Sequence, residues 1–199
     1  MRHLYRKGSD NRMASVMHFR KGKPGAAPGV EYDEIQKLPS GTSPVYVSCI
    51  DYSPDQVLVQ DVEDMEDFLV HHRPEWSAVR WINVDGLTDM DVIHALAAKY
   101  QLHPLAIEDL LHVPERPKVE SIGGSDSEFQ TRLFIIARML QISEGQLQNE
   151  QISIFLGHKT VLTFQESHGD VWDPIRQRIQ TKGSRLRQND ASFLVYGLL

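Results

Sequence analysis

The chain has 199 residues, of which 41% are hydrophobic and 24% charged, and this composition is typical of a globular protein. Its single cysteine, Cys49, excludes an internal disulfide and a zinc site built from several cysteines, and no apolar run approaches the roughly 20 residues of a membrane-spanning helix. The net charge of −6 disfavours nucleic acid and anionic membranes as partners and favours cations, although such a charge also serves solubility.

The charge is unevenly distributed along the chain. Residues 1–30 contain seven bases and one acid, a local charge of +6, whereas the remaining 169 residues contain 14 bases and 26 acids, a charge of −12. The tail also contains the glycine- and proline-rich stretch GKPGAAPG at 22–29. We therefore predict a disordered basic tail over residues 1–30 and an acidic folded domain over residues 31–199.

The domain is predicted to begin with strands. PVYVSCID (44–51) and VLVQDV (57–62) have the composition of two strands of a hairpin or meander. An acidic segment at 61–72 is predicted to be a short helix, and VRWINVDG (79–86) to be a further strand. We expect Cys49 to be a small strand residue rather than a nucleophile.

Helical periodicity follows residue 88. Thr88 and Asp91 form a Thr-x-x-Asp variant of the capping pattern, which predicts the start of a helix. Pro104 suits the first turn of the next helix, and Pro114 and Pro117 limit its length. One apolar face of the first helix is predicted by the spacing i, i+3, i+4 and i+7 of Ile93, Leu96, Ala97 and Tyr100.

The second half of the domain alternates strands and turns. Residues 116–122 are predicted to be extended, 123–128 to form a flexible turn, and 133–140 to form a strand covered on both faces. Residues 151–166 are predicted to form a hairpin whose turn lies at 157–159. Two helices close the chain: one from Asp173-Pro174 that buries Ile175 and Ile179, and one from Asp190 through Phe193, Leu194 and Tyr196 to Leu199.

The last predicted helix ends abruptly. It reaches Leu199 with no polar cap, no trailing proline and no basic last turn, although the carbonyl groups at a helix end need hydrogen-bond partners. We therefore expect the natural protein to continue beyond Leu199.

Signatures of enzymes are sparse. The sequence contains no GxxxxGK[ST], no GxGxxG after a strand, no GxSxG and no HExxH. Its nine histidines are scattered: His71 and His72 are adjacent and would face different sides of a helix, and His158 lies at a predicted hairpin tip. We expect surface positions rather than metal ligation for them, and no enzymatic activity.

An acidic pair ends the short helix within HPLAIEDLLHVPERPKVE (103–120). Carboxylates near a helix C-terminus cost about 0.3–1 kcal/mol unless a cation offsets them, so Glu108 and Asp109 require positive charge nearby. Their side chains diverge by about 100 degrees, so each can contribute to an interface on its own side. One interpretation is a salt link to Arg116 or Lys118, worth under about 1 kcal/mol. The residues expected to hold the helix to the sheet are Leu105, Ile107, Leu110 and Leu111.

Several stretches together resemble one family. HPLAIEDLLHVPERPKVE, preceded by WINVDGLTDMDVIHALAAKY and followed by NEQISIFLGHKTVLTFQE, GDVWDPIRQRI and DASFLVYGLL, is similar to the amino-terminal cytoplasmic domain of CorA-type magnesium and cobalt transporters. The likeness runs from about Val45 to Leu199. It implies an α/β fold, with a mixed β-sheet between helical layers, truncated before the long stalk helix. It also implies that the complete protein is a homopentamer and that this domain lies on the cytoplasmic side of the cell membrane. The protein would contact the membrane only through segments absent here.

The resemblance implies a role for the acidic pair. In the family, the residue matched by Asp109 binds a regulatory Mg²⁺ between neighbouring subunits, and the residue matched by Glu108 is associated with a second ion. Partner carboxylates would come from the stalk beyond Leu199, and bound Mg²⁺ would favour the closed pentamer. Co²⁺ is a further candidate ion. The fragment alone is expected to be soluble, a monomer or a non-native dimer, and to transport nothing.

Three alternatives stay open at this point. A zinc-transporting branch of the same superfamily shares the domain plan, although the run at 116–120 and the His-Pro-Leu-x-x-Glu-Asp pattern favour the magnesium branch. A metal-dependent hydrolase could use Glu108, Asp109 and a histidine, but it would need three or more convergent ligands. A plain cytosolic interaction module is the third alternative.

Overall fold

A computed structural model describes residues 44–124, 129–143, 145–166 and 169–199. The predicted basic tail at 1–30 and most of the predicted turn at 123–128 lie outside these ranges, so the division into tail and domain stays a prediction. No helix within the described ranges combines the length and apolar character needed to cross a bilayer.

Strands and helices alternate along the described chain. The strands are β1 (Tyr46–Tyr52), β2 (Val57–Asp61), β3 (Val79–Asp85), β4 (Lys118–Ile122), β5 (Arg132–Ser143), β6 (Gln146–Leu156) and β7 (Thr160–Gln165). The helices are α1 (Met65–Val70), α2 (Met90–Tyr100), α3 (Pro104–Leu111), α4 (Asp173–Gln180) and α5 (Ala191–Leu198).

The seven strands form one mixed sheet in the order β2-β1-β3-β7-β6-β5-β4. The central pair, β3 and β7, is parallel, with Ile82 opposite Leu162, and the other neighbouring pairs are antiparallel. Because β3 and β7 run in the same direction, the chain must cross from one to the other through the intervening helices and strands. The predicted mixed sheet is therefore confirmed.

Helices cover both faces of this sheet. All seven residues of β3 are buried, and alternate side chains of a strand point to opposite faces. Ile82 belongs to the core that packs against α1, α2 and α3, whereas Trp81 belongs to the core that packs against α4 and α5. The predicted arrangement of a sheet between helical layers is confirmed.

Two predicted helix starts are wrong. The cap of α2 is Asp89 rather than Thr88, because the Asp89 carboxylate accepts hydrogen bonds from the backbone N–H groups of Asp91 and Val92 at 3.0 and 3.2 Å. Helix α1 begins at Met65 rather than at residue 61, because Asp64 caps it by accepting from a backbone N–H of the first turn. In both cases the aspartate nearest to the first turn is the cap.

Strands β5 and β6 extend beyond their predicted bounds and form a hairpin that was not predicted. The two strands pair from Leu133 opposite Leu156 to Ser143 opposite Gln146, whereas the prediction placed their inner ends at residues 140 and 151. Neither β4 nor β7 pairs with the extra length, so it forms a two-stranded ribbon beyond the sheet. The sequence of this ribbon is mostly polar, and its positions lack the alternation of buried and exposed side chains from which strands are predicted.

A buried ion pair lies within the first three strands. The guanidinium of Arg80 donates to both carboxylate oxygens of Asp51, with Nη2 at 2.7 Å from Oδ2, and Ser77 Oγ donates to Oδ1 at 2.9 Å. Burial, together with the nearby Asp51 carboxylate, raises the pKa of the Cys49 thiol to about 12. The thiol therefore stays protonated, and Cys49 is a small buried strand residue, as predicted.

Candidate functional site

Helix α3 carries the acidic pair and packs against the sheet. Pro104 occupies its first turn, and His103 caps it by accepting from the backbone N–H of Leu105 at 3.2 Å. The prediction that Leu105 holds the helix to the sheet is wrong, since its side chain is 61% exposed. Because successive residues of a helix are rotated by about 100 degrees, Leu105 lies opposite the buried face. That face consists of Ala106, Ile107, Leu110 and Leu111.

Glu108 and Asp109 lie on the two flanks of the exposed side of α3. The Asp109 side chain is 28% exposed, and Glu108 is likewise half-buried. Both carboxylates belong to the last turn, which contains no basic residue. The helix therefore presents two acids at its negative end, as the sequence predicted.

Lys118 supplies the cation that the acidic pair requires. Its Nζ lies 2.7 Å from Asp109 Oδ2 and 3.2 Å from Glu120 Oε2. Lys118 and Glu120 are two residues apart on β4 and therefore share the face of the sheet on which α3 packs. The salt link that the sequence left open is confirmed for Asp109, and its cation is Lys118.

The ammonium group of Lys118 is held in its charged form. Burial alone would lower the pKa of Lys118, but its hydrogen bonds to Asp109 and Glu120 and the attraction of both carboxylates raise that pKa above the usual value. Its Nζ also lies 5.9 Å from the centre of the Phe134 ring. The ammonium group therefore interacts with two carboxylates and with the face of an aromatic ring.

Gln151 binds the backbone at the end of α3. Its Nε2 lies 3.4 Å from the carbonyl oxygen of Asp109 and 3.5 Å from that of Leu110, to which it donates, and its Oε1 accepts from the backbone N–H of Glu115 at 2.7 Å. These bonds satisfy carbonyl groups that a helix end leaves without partners. Sequence reasoning did not identify Gln151, which lies within β6 and far along the chain from α3.

More acids than bases surround the end of α3. The hydrogen bond from the backbone N–H of Arg116, aided by His112, lowers the pKa of Glu115, so this carboxylate is ionised at neutral pH. Arg138 donates to the Glu115 carbonyl at 2.9 Å and lies 3.9 Å from the carboxylate of Glu166. The rim formed by Glu108, Asp109, Glu115, Glu120 and Glu166, with the cations Lys118 and Arg138, is therefore acidic; we call it the acidic rim.

The donor groups of the acidic rim fit a partly hydrated hard cation. Asp109 and Glu120 offer carboxylate oxygens, the ligands that Mg²⁺ prefers, and Mg²⁺ is usually held by one or two carboxylates while it keeps several waters. The Lys118 ammonium between these carboxylates shows that the position accepts positive charge. In the described ranges no three His, Cys, Asp or Glu residues converge as a metal cluster, so the hydrolase alternative gains no support.

A family model and a curated relative point to one family. A model of the CorA-like Mg²⁺ transporter protein family matches residues 76–199. The cobalt/magnesium transport protein CorA of Thermotoga maritima is 33% identical over 155 residues, which cover 77% of this chain and 42% of that protein. The chain thus spans less than half the length of this relative.

Two solved structures share the fold. The soluble domain of CorA from Methanocaldococcus jannaschii superposes with a TM-score of 0.51 and 18% identity, covering 81% of this chain and 56% of that one. The ZntB cytoplasmic domain from Vibrio parahaemolyticus gives a TM-score of 0.53 and 14% identity, covering 78% of this chain and 58% of that one. At these identities the likeness concerns the fold alone.

Proposed function

Because the chain belongs to the CorA-like Mg²⁺ transporter family, we propose that it is the cytoplasmic regulatory domain of a divalent cation transporter. The transported ion is Mg²⁺ or Co²⁺, and the complete protein is a homopentamer whose membrane helices follow this domain. The 33% identity to a cobalt/magnesium transport protein supports this ion choice. The matched range includes α3, β4 and both residues of the acidic pair.

Asp109 is the residue proposed to hold a regulatory Mg²⁺ at the boundary with a neighbouring subunit. The observation that carries this proposal is the position of its carboxylate, which is 28% exposed and already bound to a cationic group. Its backbone is fixed by Gln151, so the carboxylate is presented from a rigid helix end. Glu108, on the other flank of the helix, is proposed to serve a second ion.

Electrostatic repulsion provides the regulatory energy in this proposal. Two carboxylates about 5 Å apart repel by roughly 3 kcal/mol at an effective dielectric constant near 20. A bound Mg²⁺ would neutralise the Asp109 carboxylate and a carboxylate of the neighbouring subunit and so favour the closed pentamer. When the site empties, the same carboxylates repel and loosen the ring. The size of the response depends on the difference between the ion affinities of the closed and open states.

The zinc-transporting branch is the alternative, since the ZntB cytoplasmic domain has a similar fold. The chemistry of the acidic rim favours magnesium, because Zn²⁺ is bound mainly through cysteine sulfur and histidine nitrogen. The two groups that form ion pairs with Lys118 Nζ are carboxylates, and one imidazole, that of His112, lies beside Glu115. Oxygen donors of this kind suit Mg²⁺ better.

Limited proteolysis of the assembled protein tests the assignment of Asp109. In the wild type, MgCl₂ should slow cleavage, and Asp109→Asn should lose most of this protection. Asp55→Asn, at an exposed position in the turn between β1 and β2, removes the same charge and should retain the protection. If the Asp109→Asn protein were protected by Mg²⁺ as well as the wild type, the assignment would be wrong.

A further inference from the structure

Lys118 contacts one oxygen of the carboxylate at which the proposed ion would act. Its Nζ lies 2.7 Å from Asp109 Oδ2, so the ammonium and a divalent cation cannot both contact this oxygen without strong repulsion. We propose that Lys118 is a tethered competitor of the divalent cation: it neutralises Asp109 in the absence of the ion and leaves that carboxylate when the ion binds. This inference rests on the proposed function.

A second carboxylate is available when Lys118 leaves Asp109. Glu120 Oε2 lies 3.2 Å from the same Nζ, and the Glu120 side chain is 48% exposed. The Phe134 ring is also within reach, with its centre 5.9 Å from Nζ. Because a lysine ammonium lies on a flexible four-carbon stem, it can move toward Glu120 and remain paired. The exchange therefore leaves no unpaired buried charge.

Competition of this kind determines both the affinity and the selectivity of the site. The ion must displace Lys118, so its apparent affinity is weaker than that of an unoccupied carboxylate, and the site empties when the concentration of free ion falls. The effective concentration of a tethered group is fixed by its tether. A monovalent cation attracts the Asp109 carboxylate only half as strongly as a dication at the same distance. Lys118 therefore makes Asp109 respond to divalent ions rather than to potassium.

Magnesium titration of variants of the complete, assembled protein tests the proposal, because a neighbouring subunit completes the proposed site. The probe is the protection against limited proteolysis as MgCl₂ is added at constant ionic strength. Lys118→Met should lower the apparent dissociation constant about twofold to fivefold, the range expected for loss of a partly exposed ion pair. Lys118→Arg keeps the competing charge and should not lower the constant, since a guanidinium pairs with a carboxylate at least as well as an ammonium does. Lys159→Met, at the exposed turn between β6 and β7, controls for the change in net charge.

The variants separate this inference from the proposed function. If Lys118→Met left the constant unchanged or weakened binding, while Asp109→Asn abolished it, the competitor role would be overturned and the ion site would stand. If Mg²⁺ protected neither the assembled wild type nor the assembled Lys118→Met protein, both proposals would fail. A response that appears in Lys118→Met and is absent from the wild type would support competition.

A measurement on the wild type keeps the proposal testable even if Lys118→Met fails to fold. Acetylation of lysines by a water-soluble reagent can be followed by mass spectrometry with and without MgCl₂. Transfer from Asp109 to the more exposed Glu120 should increase the rate at Lys118 about twofold or more and leave the rate at Lys159 unchanged. An equal rate at Lys118 under both conditions would contradict the exchange.

Discussion

Lys118 Nζ lies 2.7 Å from Asp109 Oδ2 and so joins the end of α3 to the edge strand β4. The two side chains are 25% and 28% exposed, which places the pair at the boundary between core and solvent. The contact explains how a helix tolerates acids at its negative end. It also places a cation on the carboxylate that we propose to be the regulatory site.

The strength of this pair can be measured by a double-mutant cycle. Asp109→Asn, Lys118→Met and the double variant should give a coupling free energy below about 1 kcal/mol in urea unfolding without divalent ions, because the pair is partly exposed. Added NaCl should reduce the coupling by screening. A coupling above about 2 kcal/mol would mean that Lys118 is bound too firmly to yield to an ion.

Two leucines of α3 should differ sharply in their contribution to stability. Leu110 is fully buried, whereas Leu105 is 61% exposed. Leu110→Ala should lower the free energy of unfolding by about 2–5 kcal/mol through the cavity that it leaves, and Leu105→Ala should change it by less than about 0.5 kcal/mol. Urea unfolding of both variants measures this difference. Equal losses would contradict the orientation of α3, and with it the exposure of Asp109.

The pair of Asp170 and Arg176 should make stability depend on pH. Arg176 Nη1 donates to Asp170 Oδ1 at 2.6 Å. Burial alone would raise the pKa of Asp170, but the hydrogen bonds from Arg176 and from the backbone N–H of Trp172 lower it below its usual value of 3.8. The stabilisation is therefore fully present above pH 3.8 and is lost as the pH falls through the lower pKa of the folded state.

Asp170→Asn should accordingly lower the free energy of unfolding by about 1–3 kcal/mol at neutral pH. The difference from the wild type should shrink in urea unfolding series carried to acidic pH. Asp173→Asn provides the control, since Asp173 also pairs with Arg176 but is 81% exposed, and its effect should stay below about 1 kcal/mol. A loss in Asp170→Asn that did not vary with pH would show that ionisation of Asp170 is not its cause.

Local patterns predicted the elements better than the contacts between them. The strand at 79–86 and the hairpin at 151–166 were predicted because apolar runs end at turn residues, and the structure places β3, β6 and β7 there. The family resemblance predicted a mixed sheet between helical layers, but the order of its strands was not predicted. The extended ribbon was missed because its strands pair mainly with each other and bury few side chains.

The sequence predicted the acidic residues of the candidate site but only some of the residues that contact them. Glu108 and Asp109 stood out through their position at the end of a helix, and the requirement for a cation followed from the helix dipole. The choice of Lys118 depends on the register of β4 against β5, in which Lys118 lies opposite Ile136. Gln151 comes from a strand 42 residues after Asp109, and such a contact leaves no local pattern.

The most direct test of the central claim is the position of a bound divalent ion in the assembled protein. Crystals of the complete protein grown with Co²⁺ would reveal the ion by anomalous scattering. The account predicts an ion at the boundary between subunits, in contact with the Asp109 carboxylate directly or through one water. A structure in which Asp109 faces solvent away from every neighbouring subunit, with no ion beside it, would contradict the claim.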